Sequence, residues 1–288
     1  MNTDKKSGRI VYVNGDYIKE NEAVVSIFDR GFLFADSVYE VSTILDGKLV
    51  DNQAHLARLQ RSLDGLEIPC PIPHNKIIEA QKALVKKNQL REGVVYLQIS
   101  RGPAERSFDY PASPKPTLVL FTQDKILIDA PAAKNGISVI TVDDIRWKRR
   151  DLKTTGLLAQ SMAKQAAHHQ GADDAWMVED GFVTEGSSNN AFIVSKGTII
   201  TRQLGNEILH GITRKAVLRL AIEENIKIIE RPFSVAEAMK SDEAFITSAS
   251  LFVMPVVKID DKMIGNGKPG PVSQKLRSLY IQMAQAEE

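Results

Sequence analysis

Strand-like and helix-like hydrophobic patterns alternate along almost the whole chain, which limits it to folds that combine sheet and helix. The run GRIVYVNGDYI predicts a β-hairpin, because two short apolar segments flank Asn14-Gly15, a strong turn signal. The stretch DNQAHLARLQRSLDGLEIP predicts a helix that Pro69 stops, because its leucines recur at steps of three and four residues. These leucines are Leu56, Leu59, Leu63 and Leu66.

The remaining patterns predict strands and helices on both sides of a linker. Strands are predicted at VVYLQISRG, TLVLFT, ISVITV, DAWMV, NAFIV, GTIIT, EAFIT and PVVKI, and helices at NKIIEAQKALVKKNQL, 157–169, TRKAVLRLAIEENI and VSQKLRSLYIQMAQ. In the middle, QDKILIDAPAAKNG carries proline, alanine and glycine with little periodicity, which favours a linker. We therefore predict a small α/β domain over residues 1–123, a linker over 124–136 and a large domain over 137–288.

Composition and charge exclude several classes of protein. The 37 basic and 36 acidic residues nearly balance, so the chain has no global positive field to attract nucleic acid or an anionic membrane. The single cysteine, Cys70, cannot form an internal disulfide, which indicates a reducing compartment. The N-terminal run has no apolar segment of signal-peptide length, and no stretch approaches the roughly 20 apolar residues of a membrane span. We therefore expect a cytoplasmic protein that binds neither nucleic acid nor a membrane.

The run RRDLKTTGLL raises the question whether Lys153 is a surface lysine or a reactive amine. The surface interpretation is the commoner one for a lysine in a basic run. A reactive lysine needs burial and cationic neighbours that lower the pKa of an amine, because only the neutral amine attacks a carbonyl. Arg146, Lys148, Arg149 and Arg150 are candidate neighbours, so this pattern alone leaves both interpretations open.

Three later segments contain groups that a phosphorylated cofactor requires. In TEGSSNNAFIV, Glu185 is either a turn acid or the partner of a protonated ring nitrogen, as a pyridoxal cofactor needs. In ILHGITRKAVLRL, Gly211 and Thr213 precede a helical pattern, which indicates either an ordinary threonine cap or an anion site at a helix N-terminus. In FITSASLFVMP, Ser248 ends a predicted strand, where its hydroxyl and neighbouring amides can bind the same phosphate.

In this order, the four segments resemble the fold-type IV pyridoxal-phosphate aminotransferases, also called class IV, and within them the D-amino-acid transaminase pattern. The most specific part runs from Glu185 to Arg214, with EGSSNNAF, a threonine after a strand (Thr201) and LHGITR. The segments DRGFLFADSVYEV, HLARL and YLQISRG extend the resemblance over nearly the whole chain. It implies a two-domain α+β, or α/β, fold that binds pyridoxal 5'-phosphate, with a mixed N-terminal sheet domain and a C-terminal pseudo-barrel domain.

The resemblance assigns cofactor-binding roles to eight residues. Lys153 matches the catalytic lysine that carries the cofactor as a Schiff base and later moves the proton. Glu185 matches the acid beside the pyridine nitrogen. The other matches contact the phosphate or the ring, and they are Arg58, Leu209, Ile212, Thr213, Ser248 and Ala249. Many relatives have a hydroxyl where this chain has Ala249, which removes one potential hydrogen bond to the phosphate.

Three further residues match the substrate site of D-specific members of the family. Tyr39 in VYE and Arg106 in RGPAERSF match the tyrosine and arginine that bind the substrate α-carboxylate. Those members usually carry a histidine two residues after the arginine, whereas this chain has Phe108, which donates no hydrogen bond. In the family the loop with this arginine reaches the neighbouring subunit's site, which implies a homodimer with site residues from both subunits.

The implied reaction is transamination between D-amino acids, such as D-alanine or D-glutamate, and 2-oxo acids, such as pyruvate or 2-oxoglutarate. Phe108 favours a second hypothesis, an (R)-selective amine transaminase, and a branched-chain L-amino-acid aminotransferase is a third. From other classes, Lys153 is compatible with a cofactor-free aldolase, and RWKRRDLK with nucleic-acid binding.

Overall fold

The structure, a computed structural model, describes residues 8–286, so the outer ends of the two predicted domains, 1–7 and 287–288, lie outside the described residues. The chain divides into two compact units. The first contains residues up to Ile126 together with Leu152–Gly156, and the second contains Leu127–Asp151 and Leu157–Ala286. This division differs from the sequence-based one in two segments. The five residues around Lys153 belong with the first unit, and the predicted linker is divided between the two units at Leu127.

The first unit contains a six-stranded sheet and three helices. Its strands are β1 (Ile10–Val13), β2 (Asp16–Lys19), β3 (Ser37–Leu45), β4 (Lys48–Val50), β5 (Gly93–Ser100) and β6 (Thr117–Asp124). Its helices are α1 (Arg30–Phe34), α2 (Asn52–Gly65) and α3 (His74–Lys87). The strand order is β2-β1-β6-β5-β3-β4, and each of these pairs is antiparallel.

Two local predictions for the first unit are confirmed with their physical causes. Asn14 and Gly15 both have positive φ, 51° and 114°, as a tight hairpin turn with the right-handed twist of β-strands requires. The leucine face of α2 is buried in the core, with Leu56, Leu59 and Leu63 at 1%, 0% and 0% exposure. This helix ends at Gly65, before Pro69, because the Ile68 N–H turns back and donates to the Leu63 carbonyl at 3.0 Å.

The second unit contains a mixed sheet and five helices. Its strands are β7 (Ile137–Asp143), β8 (Asp174–Glu179), β9 (Phe182–Gly186), β10 (Asn190–Ser195), β11 (Thr198–Thr201), β12 (Ile228–Glu230), β13 (Glu243–Ser248), β14 (Phe252–Ile259) and β15 (Lys262–Met263). Its helices are α4 (Pro131–Asn135), α5 (Leu158–His169), α6 (Ile212–Glu223), α7 (Val235–Ala238) and α8 (Pro271–Ala286).

The sheet of the second unit curls on itself. Its order is β12-β11-β10-β13-β14-β7-β8-β9, with β15 paired to β14. The pairs β11–β12, β14–β7 and β7–β8 are parallel, whereas the other pairs are antiparallel. Strand β9 at the end of this order packs near β10, which gives the sheet the form of a partial barrel. The predicted fold class, with a pseudo-barrel in the C-terminal half, is confirmed.

The stretch that the sequence marks as a linker is ordered as part of the second unit from Leu127 onward. It contains helix α4, and the carbonyls of Leu127 and Ile128 accept hydrogen bonds at 2.5 and 3.0 Å from Arg277 of α8. Arg277 is buried, and the hydrogen bonds from its guanidinium both satisfy these carbonyls and hold this stretch against α8. Among residues 8–286, no helix combines the length and the apolar character needed to span a bilayer.

Glu243 of β13 holds the first turn of α8. Its carboxylate accepts hydrogen bonds from the Val272 N–H (2.9 Å), the Ser273 N–H (3.0 Å) and the Ser273 hydroxyl (2.9 Å). These amides belong to the first turn of the helix, where N–H groups have no partner inside the helix. A negative charge there also complements the helix dipole. Glu243 therefore ties α8 to the sheet.

We expect Glu243→Gln to lower the free energy of unfolding by about 1–2 kcal/mol, because an amide accepts these bonds more weakly than an anion. Thermal and urea unfolding measure the change. The matched control is Glu223→Gln, since Glu223 is exposed and lies 3.8 Å from Arg219, a contact that contributes about 0.5 kcal/mol or less. Equal losses of unfolding free energy in the two variants would show that Glu243 does not stabilise the first turn of α8.

Candidate active site

The backbone of Lys153 is fixed to two elements of the first unit. The Tyr39 N–H of β3 donates to the Lys153 carbonyl at 3.0 Å, and the Lys153 N–H donates to the Ser62 hydroxyl of α2 at 3.1 Å. The Thr155 N–H then donates to the Ser37 carbonyl at 3.1 Å, so the segment runs beside β3 like a short extra strand. Hydrogen bonds on both sides fix where the Lys153 side chain begins.

The amine of Lys153 lies against an aromatic wall. Its Nζ is 4.2 Å from the centre of the Tyr39 ring. That ring stacks on Tyr96 with centroids 5.6 Å apart, and Tyr96 stacks on Phe121 at 4.6 Å. The rings limit the positions open to the amine. Lys153 is half-buried, between the exposed surface lysine and the buried reactive amine that the sequence leaves open.

Arg58, the predicted phosphate ligand, is oriented by a buried carboxylate. Its Nε and Nη2 donate to the two oxygens of Glu40 at 2.7 and 2.8 Å, and His55 Nδ1 lies 2.7 Å from the same carboxylate. All three side chains are buried. Burial alone raises the pKa of Glu40, but the contacts with Arg58 and His55 outweigh it and hold this pKa well below its ordinary value. Glu40 is therefore an anion at neutral pH, and it fixes the direction of the guanidinium.

Arg106 and Phe108 lie together on an exposed loop of the first unit. The Arg106 guanidinium lies 5.4 Å from the centre of the Phe34 ring and 5.8 Å from that of Phe108. Phe108 is 83% exposed. Within the described part of the chain, Arg106 has ring contacts with Phe34 and Phe108 and no hydrogen bond or ion pair with Tyr39.

Glu185 is the buried acid of the second unit. One oxygen accepts from Asn190 Nδ2 at 2.9 Å and from the Leu209 N–H at 3.1 Å, and the other lies 2.5 Å from Arg146 Nη1. Burial raises the pKa of Glu185 above its ordinary value, and the charge and hydrogen bonds of Arg146 offset only part of this rise. With three donors around it, the carboxylate is held in one orientation beside Leu209, the residue predicted to flank the cofactor ring.

The basic run RWKRR turns two of its arginines inward. Arg146 also binds Asp144 through two hydrogen bonds of 2.9 and 2.7 Å, and Arg150 binds Glu179 at 2.7 Å. Both guanidinium groups are buried to about 95% or more. Arginines that are used for internal ion pairs do not form an exposed basic face, so the feature that suggested nucleic-acid binding has a structural role here.

The start of α6 is shaped to receive an anion. Gly211 precedes the helix, and a Cβ at this position would lie 2.1 Å from Asn190 Oδ1, so only glycine fits against that carboxamide. A glycine has no side chain to accept from the first helical N–H groups, those of Ile212 and Thr213. Exposed amides at a helix N-terminus, together with the helix dipole, favour a phosphate.

The end of β13 contributes unpaired hydroxyls to the same part of the unit. Thr247 pairs in register with Asn190 of β10, the residue that also contacts Gly211. Within residues 8–286, Thr247 Oγ1 and Ser248 Oγ are buried and have no hydrogen-bond partner. Buried hydroxyls without partners are costly unless a ligand satisfies them. The helix amides and these hydroxyls therefore fit the phosphate of the expected cofactor, whereas Ala249 supplies no hydroxyl.

Sequence reasoning missed three residues that organise the site, namely Glu40, Arg146 and Asn190. Asn190 belongs to the EGSSNNAF motif, but nothing in its position along the chain shows that its amide bonds both Glu185 and the Leu209 carbonyl, each at 2.9 Å. Arg146 is a candidate neighbour of Lys153 in the sequence and instead binds Glu185. Glu40 follows Tyr39 directly, and the alternation of side chains along a strand places the two on opposite faces of β3.

Comparison with known proteins settles the family. A profile of the amino-transferase class IV family matches residues 37–259. The chain belongs to this family. It is 37% identical over 270 residues to a D-alanine aminotransferase of Staphylococcus haemolyticus, a match that covers 93% of this chain and 95% of the relative. A D-alanine aminotransferase of Bacillus licheniformis is 38% identical over 270 residues, with 93% and 94% covered.

Solved structures of the family share the fold. A branched-chain amino acid aminotransferase of T.th., solved with pyridoxamine 5'-phosphate, has a TM-score of 0.92 at 24% identity, covering 98% of this chain and 96% of that one. The branched-chain enzyme of Escherichia coli has a TM-score of 0.88 at 22% identity, with 96% and 94% covered. At this identity the likeness concerns the fold alone.

Membership makes the chain an aminotransferase and confirms the resemblance seen in the sequence. The family implies pyridoxal 5'-phosphate as the cofactor, and the amides of α6 with the hydroxyls of β13 fit its phosphate. A cofactor-free aldolase is accordingly disfavoured. The role of each individual site residue stays a prediction.

We expect Glu40→Gln to lower the free energy of unfolding by about 3 kcal/mol near neutral pH, because Arg58 then keeps a buried charge without its anion. The folded pKa of Glu40 lies below its ordinary value of 4.5, so its stabilising contribution is complete above that value and is lost as the pH falls toward the folded pKa. The gap in Tm between wild type and variant should therefore shrink from about pH 5 to about pH 3.

The control for this titration is Glu79→Gln, in which an exposed carboxylate 2.8 Å from Lys76 is neutralised. Its Tm should stay close to that of the wild type, since exposed ion pairs contribute about 0–1 kcal/mol. If the difference in Tm between wild type and Glu40→Gln stays constant or grows on acidification, the Glu40 carboxylate is not the stabilising anion.

Proposed function

We propose that the chain transfers amino groups between D-amino acids, of the D-alanine and D-glutamate type, and 2-oxo acids such as pyruvate or 2-oxoglutarate. The observation that carries the proposal is the position of the Lys153 amine, 4.2 Å from the Tyr39 ring centre on a doubly fixed backbone. The relatives named D-alanine aminotransferase, at 37% and 38% identity, support the choice of D-amino acids.

In this proposal pyridoxal 5'-phosphate is held at its phosphate and at its ring nitrogen. Ile212, Thr213 and Ser248 would bind the phosphate, and so would Arg58, whose guanidinium Glu40 orients. Glu185 would face the pyridine nitrogen beside Leu209. When bound, the cofactor supplies the electron sink for the carbanion that forms when the substrate loses its α-proton.

Glu185 keeps a proton on the ring nitrogen, because an anion next to a cation raises the pKa of that cation. Its three donors, Arg146, Asn190 and the Leu209 N–H, prevent the carboxylate from rotating away. Lys153 would take the proton from the substrate α-carbon through Nζ as a general base, and would then deliver it as a general acid to the exocyclic carbon of the cofactor. The aromatic wall of Tyr39 and Tyr96 limits the movement of that amine.

The substrate carboxylate is the part of the proposal in which this chain departs from its family. Arg106 offers a planar guanidinium for a two-pronged contact, and Tyr39 offers a hydroxyl. Phe108 stands where D-specific relatives have a histidine, and it adds no donor. This observation favours a second candidate, an (R)-selective amine transaminase, over a branched-chain L-amino-acid enzyme.

A homodimer accompanies the proposal. Arg106 is exposed and Phe108, two residues further on, is 83% exposed. An exposed phenylalanine of this kind is suited to burial against another copy. A dimer in which this loop reaches the partner's site would complete the carboxylate pocket. A cytoplasmic location stays a prediction.

A donor panel tests the proposed function. The protein with pyridoxal phosphate should transfer the amino group of D-alanine and D-glutamate to a 2-oxo acid, and should do so more efficiently than with (R)-1-phenylethylamine or L-leucine. Lys153→Ala should reduce kcat by about 100- to 10,000-fold, the range for loss of a general base. Preference for (R)-1-phenylethylamine would select the second candidate, and no transfer from any donor would refute both.

A further inference from the structure

The loop that carries Arg106 spans residues 101–116. Its two ends meet at a neck between the end of β5 and the start of β6, where the buried Asp29 joins them. Asp29 Oδ2 accepts from the Ser100 hydroxyl at 2.9 Å, at the end of β5, and from the Thr117 hydroxyl at 2.6 Å, at the start of β6. At the same neck, a Cβ on Gly102 would lie 1.8 Å from the Lys115 carbonyl. The two ends of the loop are thus in contact, as in an Ω-loop.

The middle of the loop is held by Arg30, the residue that follows Asp29 in the chain. Its Nη1 donates to the carbonyl of Ser107 at 2.6 Å and to that of Asp109 at 3.3 Å, the two residues that flank Phe108. Arg30 is 3% exposed, whereas Ser107 and Asp109 are exposed, so a buried guanidinium holds an exposed part of the loop. Its backbone N–H also donates to the Gly102 carbonyl at 3.0 Å. One arginine therefore contacts both the neck and the middle of the loop.

Asp36 locks this arginine in place and links it to a second one. Its Oδ2 accepts from Arg30 Nε and from Arg101 Nε, each at 2.7 Å. Arg101 is 2% exposed, and the Tyr110 ring of the loop lies over its guanidinium at 3.5 Å. The Asp36 carboxylate, whose side chain is 9% exposed, thus lies between two guanidinium groups, and the second of them holds the far side of the loop through Tyr110.

The ring of Phe34, the last residue of α1, contacts Arg106, the residue predicted to bind the substrate carboxylate, and Phe108. Its ring centre lies 4.6 Å from the Arg30 guanidinium and 5.4 Å from the Arg106 guanidinium. Phe108 packs on it at 5.7 Å between centroids. Among the described residues, Arg106 makes ring contacts with Phe34 and Phe108 and no side-chain hydrogen bond or ion pair, so the loop backbone and these rings set its position.

We propose that the segment Asp29–Asp36, within the motif DRGFLFADS, is the support that presents Arg106 to the substrate carboxylate, and that Arg30 is its principal positioning residue. The proposal rests on the proposed function, since it takes Arg106 as the carboxylate ligand. Arg30 itself touches no reacting atom. It fixes the loop backbone on both sides of Phe108, and it thereby sets where the Arg106 guanidinium stands.

Arg30→Lys tests this role, because lysine keeps the positive charge but loses the planar guanidinium, which binds Asp36 through Nε and the two loop carbonyls through Nη1. The matched control is Arg9→Lys. Arg9 also joins a carboxylate, Glu20 at 2.7 Å, to a carbonyl, Thr122 at 2.9 Å, but both partners lie outside the 101–116 loop. Both variants are compared with wild type as the pyridoxal-phosphate-loaded protein in the same oligomeric state.

Two measurements are needed. Hydrogen exchange of the amides in 101–116 should accelerate in Arg30→Lys and stay at the wild-type rate in Arg9→Lys. In Arg30→Lys, KM for D-alanine should rise about tenfold, the effect of misplacing one charge-assisted contact, with kcat changed less than KM. Arg30→Lys combined with Arg106→Ala should lose little beyond Arg106→Ala alone, because the two residues then act on one contact.

Unchanged exchange in 101–116 would overturn the proposal, and so would faster exchange with an unchanged KM for D-alanine. Additive losses in the double variant would also overturn it, since they would give Arg30 a role independent of Arg106. The failure of the proposed function looks different. In that case the wild-type protein itself transfers no amino group from D-alanine, while the exchange experiment still decides whether Arg30 holds the loop.

Discussion

The hydrogen bonds that fix the Lys153 backbone are the constraint on which the account of this aminotransferase depends. Lysine has four rotatable side-chain bonds, so its amine has a defined position only if the main chain beneath it does. Here the carbonyl and N–H of Lys153 are both bound, to Tyr39 of β3 and to Ser62 of α2. The ring of Tyr39 then limits the amine from one side, at 4.2 Å. A mobile strand at this point would leave the reactive group without a defined place.

Three carboxylates with little exposure to solvent each bind one or two arginines. Glu40 orients Arg58, Asp36 orients Arg30 and Arg101, and Glu185 binds Arg146. Such pairs contribute little net stability, because desolvation of the two charges offsets much of their attraction. Their use is geometric, since a guanidinium bound on one side by a carboxylate can point in only one direction. The chain therefore uses buried ion pairs to align its functional groups.

Local sequence chemistry predicts the regular elements well and the short ones poorly. The Asn14-Gly15 turn and the leucine face of α2 follow from nearest neighbours in the chain. By contrast, α1 has only five residues, and it is held by Asp29 and by contacts with the 101–116 loop, about 70 residues further along the chain. No periodicity within five residues can reveal such contacts.

The residues of the candidate site were likewise predictable only in part. The family pattern identifies Lys153, Glu185 and the start of α6, because each belongs to a motif with fixed spacing. It does not identify Glu40 or Asn190, whose roles consist of hydrogen bonds to residues distant in sequence. It also does not show that residues 152–156 belong with the first unit, because that grouping arises from backbone bonds to β3 and α2.

Borohydride reduction followed by peptide mapping shows directly whether Lys153 is the amine that bonds to the cofactor. The protein is incubated with pyridoxal 5'-phosphate, reduced, digested and sequenced by mass spectrometry. We expect one phosphopyridoxyl group per chain, on Lys153, and none on Lys148 or Lys164. Label on another lysine, or an unlabelled Lys153 in protein that is active in transamination, would contradict it.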